Sequence, residues 1–389
     1  MMNGIPQNTR SVDRRREKVL SFITNHYTLG MERPKLAVDT HVAFLPTEEW
    51  NYAHHPYITR FKGRFFLCCS SGRNNEDDVG QRVVFMGSDD FVHWDEAQVL
   101  AVPTEPDNAV LIPSGFYNRG DSLICYYLKF IYAPEVLQPD GHRRMGSAGR
   151  TFLGTFYKIT EDGRTWTEER RLPCFGGNMP VRTLPSGRLI SCGGRNQAYT
   201  DNPDGIHGWQ LTEVCPAGYG NKPEDVREDD DMPGLVSDTH VSLCEGSFIR
   251  QDSGRLWLYL RSATPWLWAC YSDDEGETWS LPEQTSFTDN RTKFFMDRLP
   301  DGRYYYVGTP DPFPPRTRHV LALSFSDDGL DWTKHYLLAD AQYKGRYPGI
   351  DKNGVYGYPC VMVEGNEMYI AVSINKEMIA VMHTDLAKL

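Results

Sequence analysis

The sequence predicts an all-β fold, a single β-propeller of six blades with seven held open, preceded by a short N-terminal helical extension. Three observations carry that expectation: six glycine-bearing hairpin turns, four acidic turns that end in tryptophan, and a globular composition without a long apolar run. The chain is 40% hydrophobic and 24% charged, which supports a buried core.

Taken in order, residues 1–35 read as an extension outside the propeller, with SVDRRREKVLSFITNHY as a short helix. Residues 36–389 then form the one propeller domain. LAVDTHVAFL (36–45) has strand character, and the last repeat (354–389) lacks an acidic turn and is incomplete. A strand donated from 36–45 to that last blade would close the ring and remove exposed sheet edges. Between them come the hairpins, at Lys62-Gly63, Arg119-Gly120, Ser186-Gly187, Ser253-Gly254, Asp301-Gly302 and Gly365-Asn366. Glycine suits these turns because tight hairpins need positive φ. They fall 48 to 67 residues apart, the scale of one four-stranded blade. After four of them comes a second phrase. YSDDEGETW (271–279) fits Ser-x-Asp-x-Gly-x-Thr-Trp in full, and GSDDFVHW, ITEDGRTW and FSDDGLDW are shortened forms ending at Trp94, Trp166 and Trp332. Asp and Ser side chains can bond the amides of such a turn while the indole fills the gap between strands. The phrase is structural and carries no catalysis.

Blade topology sorts the remaining residues. With four antiparallel strands per blade, the loops entering the innermost strand and those joining the second to the third strand share one face. That mouth would collect His54, His55, Arg73, Arg150, Arg182, Arg195, His240, Arg261, Lys293, Tyr358 and Lys376. An acidic protein of net charge -11 that gathers arginine and histidine around one funnel is built for a small anionic ligand. His55, next to Pro56 at a strand head, is the first choice for catalysis. Each residue also has a plainer reading: Arg73 paired with neighbouring acids, His240 bonded to Asp238, Tyr358 packed for support. Trp266, Trp268 and Phe313 are the aromatic groups expected at the mouth, with Trp266 as a substrate platform.

Other classes are excluded or disfavoured. The negative charge argues against nucleic acid, and no apolar stretch is long enough to span a membrane. Nine unpatterned cysteines and a polar N-terminus lacking a signal-like apolar core point to a cytoplasmic protein. No phosphate loop, zinc-protease helix or nucleophile elbow occurs, and no cofactor is required. No metal ligand set is evident; the propeller axis leaves a place for a structural calcium. Whether the chain is a monomer or a homo-oligomer is not encoded in any motif.

The acidic turns resemble the Asp-box of the sialidase superfamily. Sialidases open their first blade with Arg-Ile-Pro, whose arginine helps clamp the substrate carboxylate; the matching place here reads His54-His55-Pro56. The segments HHPYITRFKGRFF, SSGRNNEDDVGQRVVF, RLPDGRYYYVGTPDP and NKEMI resemble the propellers of glycoside hydrolase family 145 and polysaccharide lyase family 42. That resemblance, over residues 36–389, implies an enzyme cutting L-rhamnose from glucuronate in acidic oligosaccharides, as a lyase or an α-L-rhamnosidase. For elimination, arginine must neutralise the uronate carboxylate and a near-neutral base must reach C5. Arg195 and Arg261 are assigned to the carboxylate, and His55 with His240 or Tyr358 to the base and acid. His54, Arg73, Arg150, Arg182, Lys293 and Trp266 are assigned to substrate binding. Hydrolysis would draw instead on Asp238, Glu245 or Glu76. The alternatives are a sialidase-type exo-glycosidase on acidic sugars and a non-catalytic glycan-binding propeller.

Overall fold

In the computed structural model, residues 20–103, 108–138, 150–172, 177–194, 196–215, 219 and 241–389 are described. They form six antiparallel sheets arranged as blades, so the all-β, six-bladed expectation holds. The innermost strands are Tyr52–Phe61, Ala109–Asn118, Arg182–Thr183, Cys244–Arg250, Phe295–Arg298 and Tyr356–Glu364. Each is followed outward by its own hairpin partner. The turns use the anticipated glycines, with φ of 94° at Gly187, 93° at Gly254 and 98° at Gly302.

The acidic turns are closed by their own side chains. Asp274 accepts the Thr278 amide at 2.9 Å and the Ser272 hydroxyl at 2.7 Å, while the Trp279 indole donates to the Gly276 carbonyl at 3.2 Å. Asp90, Asp162 and Asp328 accept turn amides in the same way. A fifth copy lies in the third blade, within TDNPDGIHGW. There Asp204 accepts the Ile206 amide at 2.7 Å and Trp209 donates to Gly205 at 2.8 Å. An inserted residue pair disguises it in the sequence.

Closure follows the expected route. Asp39–Phe44 pairs antiparallel with Met378–Asp385 as the outermost strand of the last blade. The expected N-terminal helix is corrected where the structure describes it. Leu20–Thr24 is a strand, parallel to Glu283–Thr288 on the outside of the fourth blade. Its LSFIT sequence, rich in aromatic and β-branched residues, buries Ile23 with Trp257, Phe287 and Trp332, a gain that solvated helix could not offer. The remainder of that segment, residues 1–19, lies outside the described residues.

Candidate active site

The site is made by irregularities in the innermost strands. In the first blade the register shifts between His54 and Tyr57, and His55 takes φ of 53°. The fourth blade shifts between Cys244 and Gly246 with Glu245 at 46°, and the sixth between Gly357 and Cys360 with Tyr358 at 57°. Each is a bulge, which adds a residue on one strand and re-aims a side chain. Proline follows two of them, at Pro56 and Pro359, where the ladder is already interrupted and no amide is needed. Positive φ at a residue other than glycine costs about 1–3 kcal/mol, so three such positions around one axis mark a place where geometry outranks stability. In a regular strand, adjacent side chains face opposite sides. Here the bulge brings the rings of His54 and His55 to 4.6 Å, and both meet Tyr358, at 4.1 and 5.0 Å.

Tyr358 lies at the centre. Its hydroxyl donates a short hydrogen bond to Glu245 and accepts one from Arg261 at 3.2 Å, and Arg261 also pairs with Glu245. Lys293 Nζ lies 4.5 Å from the Tyr57 ring centre and 5.3 Å from that of Tyr358, donating to the Tyr57 hydroxyl at 3.0 Å. Arg318 stands 5.5 Å from the Tyr358 ring. Lys376 donates to Glu76 at 2.6 Å and to the Asp351 carbonyl at 2.6 Å. Gly357 permits this crowding: a Cβ there would come within 2.8 Å of His54 and 3.3 Å of Arg318. The side chains of Glu76, Glu245 and Arg261 keep 16%, 13% and 19% of their exposure, which opens the floor to solvent.

Electrostatics favours an anion. Among the described residues, four cations (Arg261, Lys293, Arg318, Lys376) meet two carboxylates (Glu76, Glu245) in contact with them, leaving positive charge in excess. Burial would raise the Glu245 carboxyl, but Arg261, the Tyr358 hydrogen bond and Lys293 outweigh it and bring it to about 2. Burial, reinforced by Glu245, holds the Tyr358 phenol well above 10. Glu245 is therefore an ionised acceptor beside a protonated phenol. Burial lowers His55 to about 3, against a partial upward pull from Glu76, and lowers His54 well below the usual imidazole range. Both histidines are neutral at pH 7. His55 Nδ1 meets Ser70 Oγ at 3.0 Å, whereas neither nitrogen of the fully buried His54 has a hydrogen-bond partner among the described residues. Burial lowers Lys293 to about 8 and raises Asp289 to about 7.

The structure thus brings together His54, His55, Arg261, Lys293 and Tyr358 of the expected set, with Lys376. Arg195 and His240, given catalytic roles from the sequence, lie outside the described residues, as does Asp238. Arg182 is corrected. Its guanidinium is tied to the Met296 and Phe248 carbonyls at 2.9 and 2.6 Å and to Asp297 at 3.1 Å. It lines a cavity of about 370 Å³ with Pro185, Arg250 and Arg298, beside the hairpin turns at the opposite face. Arg182 stands four residues before Ser186, too close to the turn to reach the other mouth. Arg73 pairs with exposed Glu49 at 2.9 Å and stacks on Trp50, so it belongs to a solvated rim. Arg150 pairs with Asp77 at 2.7 Å beside the mouth and is not directed to Tyr358 by any contact. Trp266 is 2% exposed and begins a third strand, away from the axis; it packs the blade and offers no platform. Asn290 is 2% exposed, and its Oδ1 holds the Arg318 amide at 2.8 Å.

Arg318 and Tyr57 escaped the sequence reading. Arg318 sits in PPRTRHV, where three cationic neighbours look interchangeable. Tyr57 lies just past the bulge that no periodicity rule anticipates. Among the described residues, His54, His55 and Glu76 form a group whose ligand atoms lie within 4.8 Å of one another. Lys376 occupies Glu76 and the surrounding charge is positive, so the set does not fit a dication.

Comparison with known proteins accords with the architecture. A family model described as a BNR repeat-like domain matches residues 63–370. No curated protein matches the chain. A protein of unknown function from Dyadobacter fermentans superposes with a TM-score of 0.63 and 16% identity, over 90% of this chain and 99% of its own. The NanB sialidase of Streptococcus pneumoniae gives 0.61 at 12% identity, over 90% and 71%. Trypanosoma rangeli sialidase gives 0.61 at 11%, over 89% of this chain but 59% of that one. Identities this low show a shared fold.

Proposed function

Since the chain belongs to the BNR repeat-like domain family, we propose that its axial site cleaves a glycosidic bond at a carboxylate-bearing sugar, with Tyr358 as nucleophile and Glu245 as its base. The observation that supports this best is the Tyr358 hydroxyl held between Glu245 and Arg261. A phenol is a poor nucleophile until a base takes its proton as it attacks, and Glu245 is an ionised acceptor already bonded to it. Tyrosine suits an acidic sugar because a neutral nucleophile does not repel the ligand's carboxylate, and sialidases are the glycosidases that use one. Tyr358 Oη would bond to the anomeric carbon as its proton passes to Glu245. The bond to the leaving oxygen breaks, and that oxygen takes a proton from the solvent that reaches the floor of the site. Water then attacks the same carbon as its bond to Tyr358 Oη breaks; the water's proton returns to solvent, while Glu245 returns the first proton to Tyr358. Arg318, whose Nε and Nη1 have no partner among the described residues, would hold the sugar carboxylate, with Arg261 steadying Glu245.

A second reading is elimination by a lyase on rhamnosyl-glucuronate, favoured by the His54 and His55 rings lying against Tyr358. The histidines meet Tyr358 through ring contacts, whereas Glu245 is hydrogen-bonded to its hydroxyl, which places this reading behind the first. Incubation with sialyl-lactose, rhamnosyl-glucuronate and aryl glucuronides separates them. Sugar release without an ultraviolet chromophore supports hydrolysis, and a growing unsaturated-uronate absorbance would refute it. Binding without turnover would leave a glycan-binding propeller.

A further inference from the structure

Among the described residues, two cations on the axis make no ion pair. Arg261 is matched by Glu245 and Lys376 by Glu76. Among those residues, Arg318 is 4% exposed with Nε and Nη1 unpartnered, and Lys293 is 1% exposed and donates to the neutral phenol of Tyr57. Asp289 does not close the account. One of its oxygens holds the Thr292 amide at 2.8 Å, the other is unpartnered, and among the described residues it makes no ion pair. A lone buried cation is strongly unfavourable unless a counter-charge arrives. One carboxylate on Arg318 would answer one of the two.

Resting on the acidic-sugar reading above, we infer that the preferred ligand is a dianion, an acidic sugar with two anionic groups, one met by Arg318 and the other by Lys293. The two cations come from different segments. Arg318 ends the loop anchored by Asn290, and Lys293 stands at the entry of the fifth inner strand, yet both approach the same tyrosine ring. The second charge is a carboxylate on a neighbouring uronate or a sulfate on the same ring. Either has the oxygen acceptors that a Lys293 ammonium, with two N–H groups beyond its bond to Tyr57, can use.

Isothermal titration at pH 7 and fixed ionic strength tests this with galacturonate and N-acetylneuraminate (one charge), digalacturonate (two carboxylates) and glucuronate 2-sulfate. At least one dianion should bind 10-fold or more tighter than either monoanion, and which one does so tells the neighbouring ring from the same ring. Lys293→Met should reduce the dianion to monoanion affinity, while Lys293→Arg keeps the preference. Equal affinity for singly and doubly charged sugars overturns the inference and spares the acidic-sugar reading. So does a preference that survives in a natively folded Lys293→Met. If none of the four binds, the acidic-sugar reading itself fails and this inference with it.

Discussion

Replacing Arg318 by methionine should make the free protein more stable and its ligand binding worse. The main chain at that position keeps its bonds, since the Arg318 amide donates to Asn290 at 2.8 Å and its carbonyl accepts from Tyr356 at 2.8 Å. The φ of 49° is borne equally by either residue. What disappears is a guanidinium that is 4% exposed and, among the described residues, lacks partners at Nε and Nη1. Exchanging buried charge for a hydrophobic group of like volume is neutral to stabilising by about 1–4 kcal/mol. In a domain this large that raises Tm by roughly 2–5 °C. A charge-assisted hydrogen bond contributes about 1.5–3 kcal/mol, so uronate affinity should fall roughly 10- to 100-fold. Differential scanning calorimetry and titration with glucuronate measure the two effects on one preparation. A variant that melts lower and binds equally well would mean that Arg318 holds the fold together, and the anion-site argument would collapse.

Other consequences can be checked alongside. Tyr358→Phe should lower kcat by roughly 10³-fold or more while leaving Kd for a product sugar within about tenfold, as expected for a group acting in the chemical step; steady-state kinetics decides, and a loss under tenfold rejects the nucleophile. Lys293, lowered to about 8 by burial and faced by Tyr57, Tyr358, Glu245, Cys68 and Cys360, is charged below that pH and neutral above it. Anion affinity should therefore persist up to about pH 8 and fall as pH rises through it, and Lys293→Arg should extend the plateau. His55, at about 3, should contribute no step to the binding profile between pH 5 and 8. Asp274→Ala removes acceptors for Thr278 and Ser272 in an exposed turn; about 1–2 kcal/mol of stability should be lost with kcat unaltered.

The architecture was legible because its signals are local. A glycine turn and an acidic turn each close within ten residues, so their spacing survives without any long-range knowledge. Asp39–Phe44 was legible as the missing strand because an incomplete last repeat demands one. The site was legible only in part. His55, Glu245, Lys293 and Tyr358 stand seven or eight residues ahead of their hairpin turns, at Lys62, Ser253, Asp301 and Gly365, whereas Arg182 stands four ahead of Ser186. Counting back from the turn would have separated depth along the axis from mere membership of an inner strand. Asp204 was hidden by an insertion, and Arg318 by neighbours of like charge. Leu20–Thr24 was misread because its burial depends on Trp257 and Trp332, which lie far along the chain.

The pairing of Asp39–Phe44 with Met378–Asp385 has a kinetic consequence. A clasp between segments so distant in sequence cannot form until the ribosome has delivered the far one, and contacts of such separation assemble slowly. Five blades can fold as they emerge, but the disc must wait, sprung open, for its final strands. Refolding intermediates should therefore protect the middle blades from hydrogen exchange first, and the Asp39–Phe44 and Met378–Asp385 strands together and last.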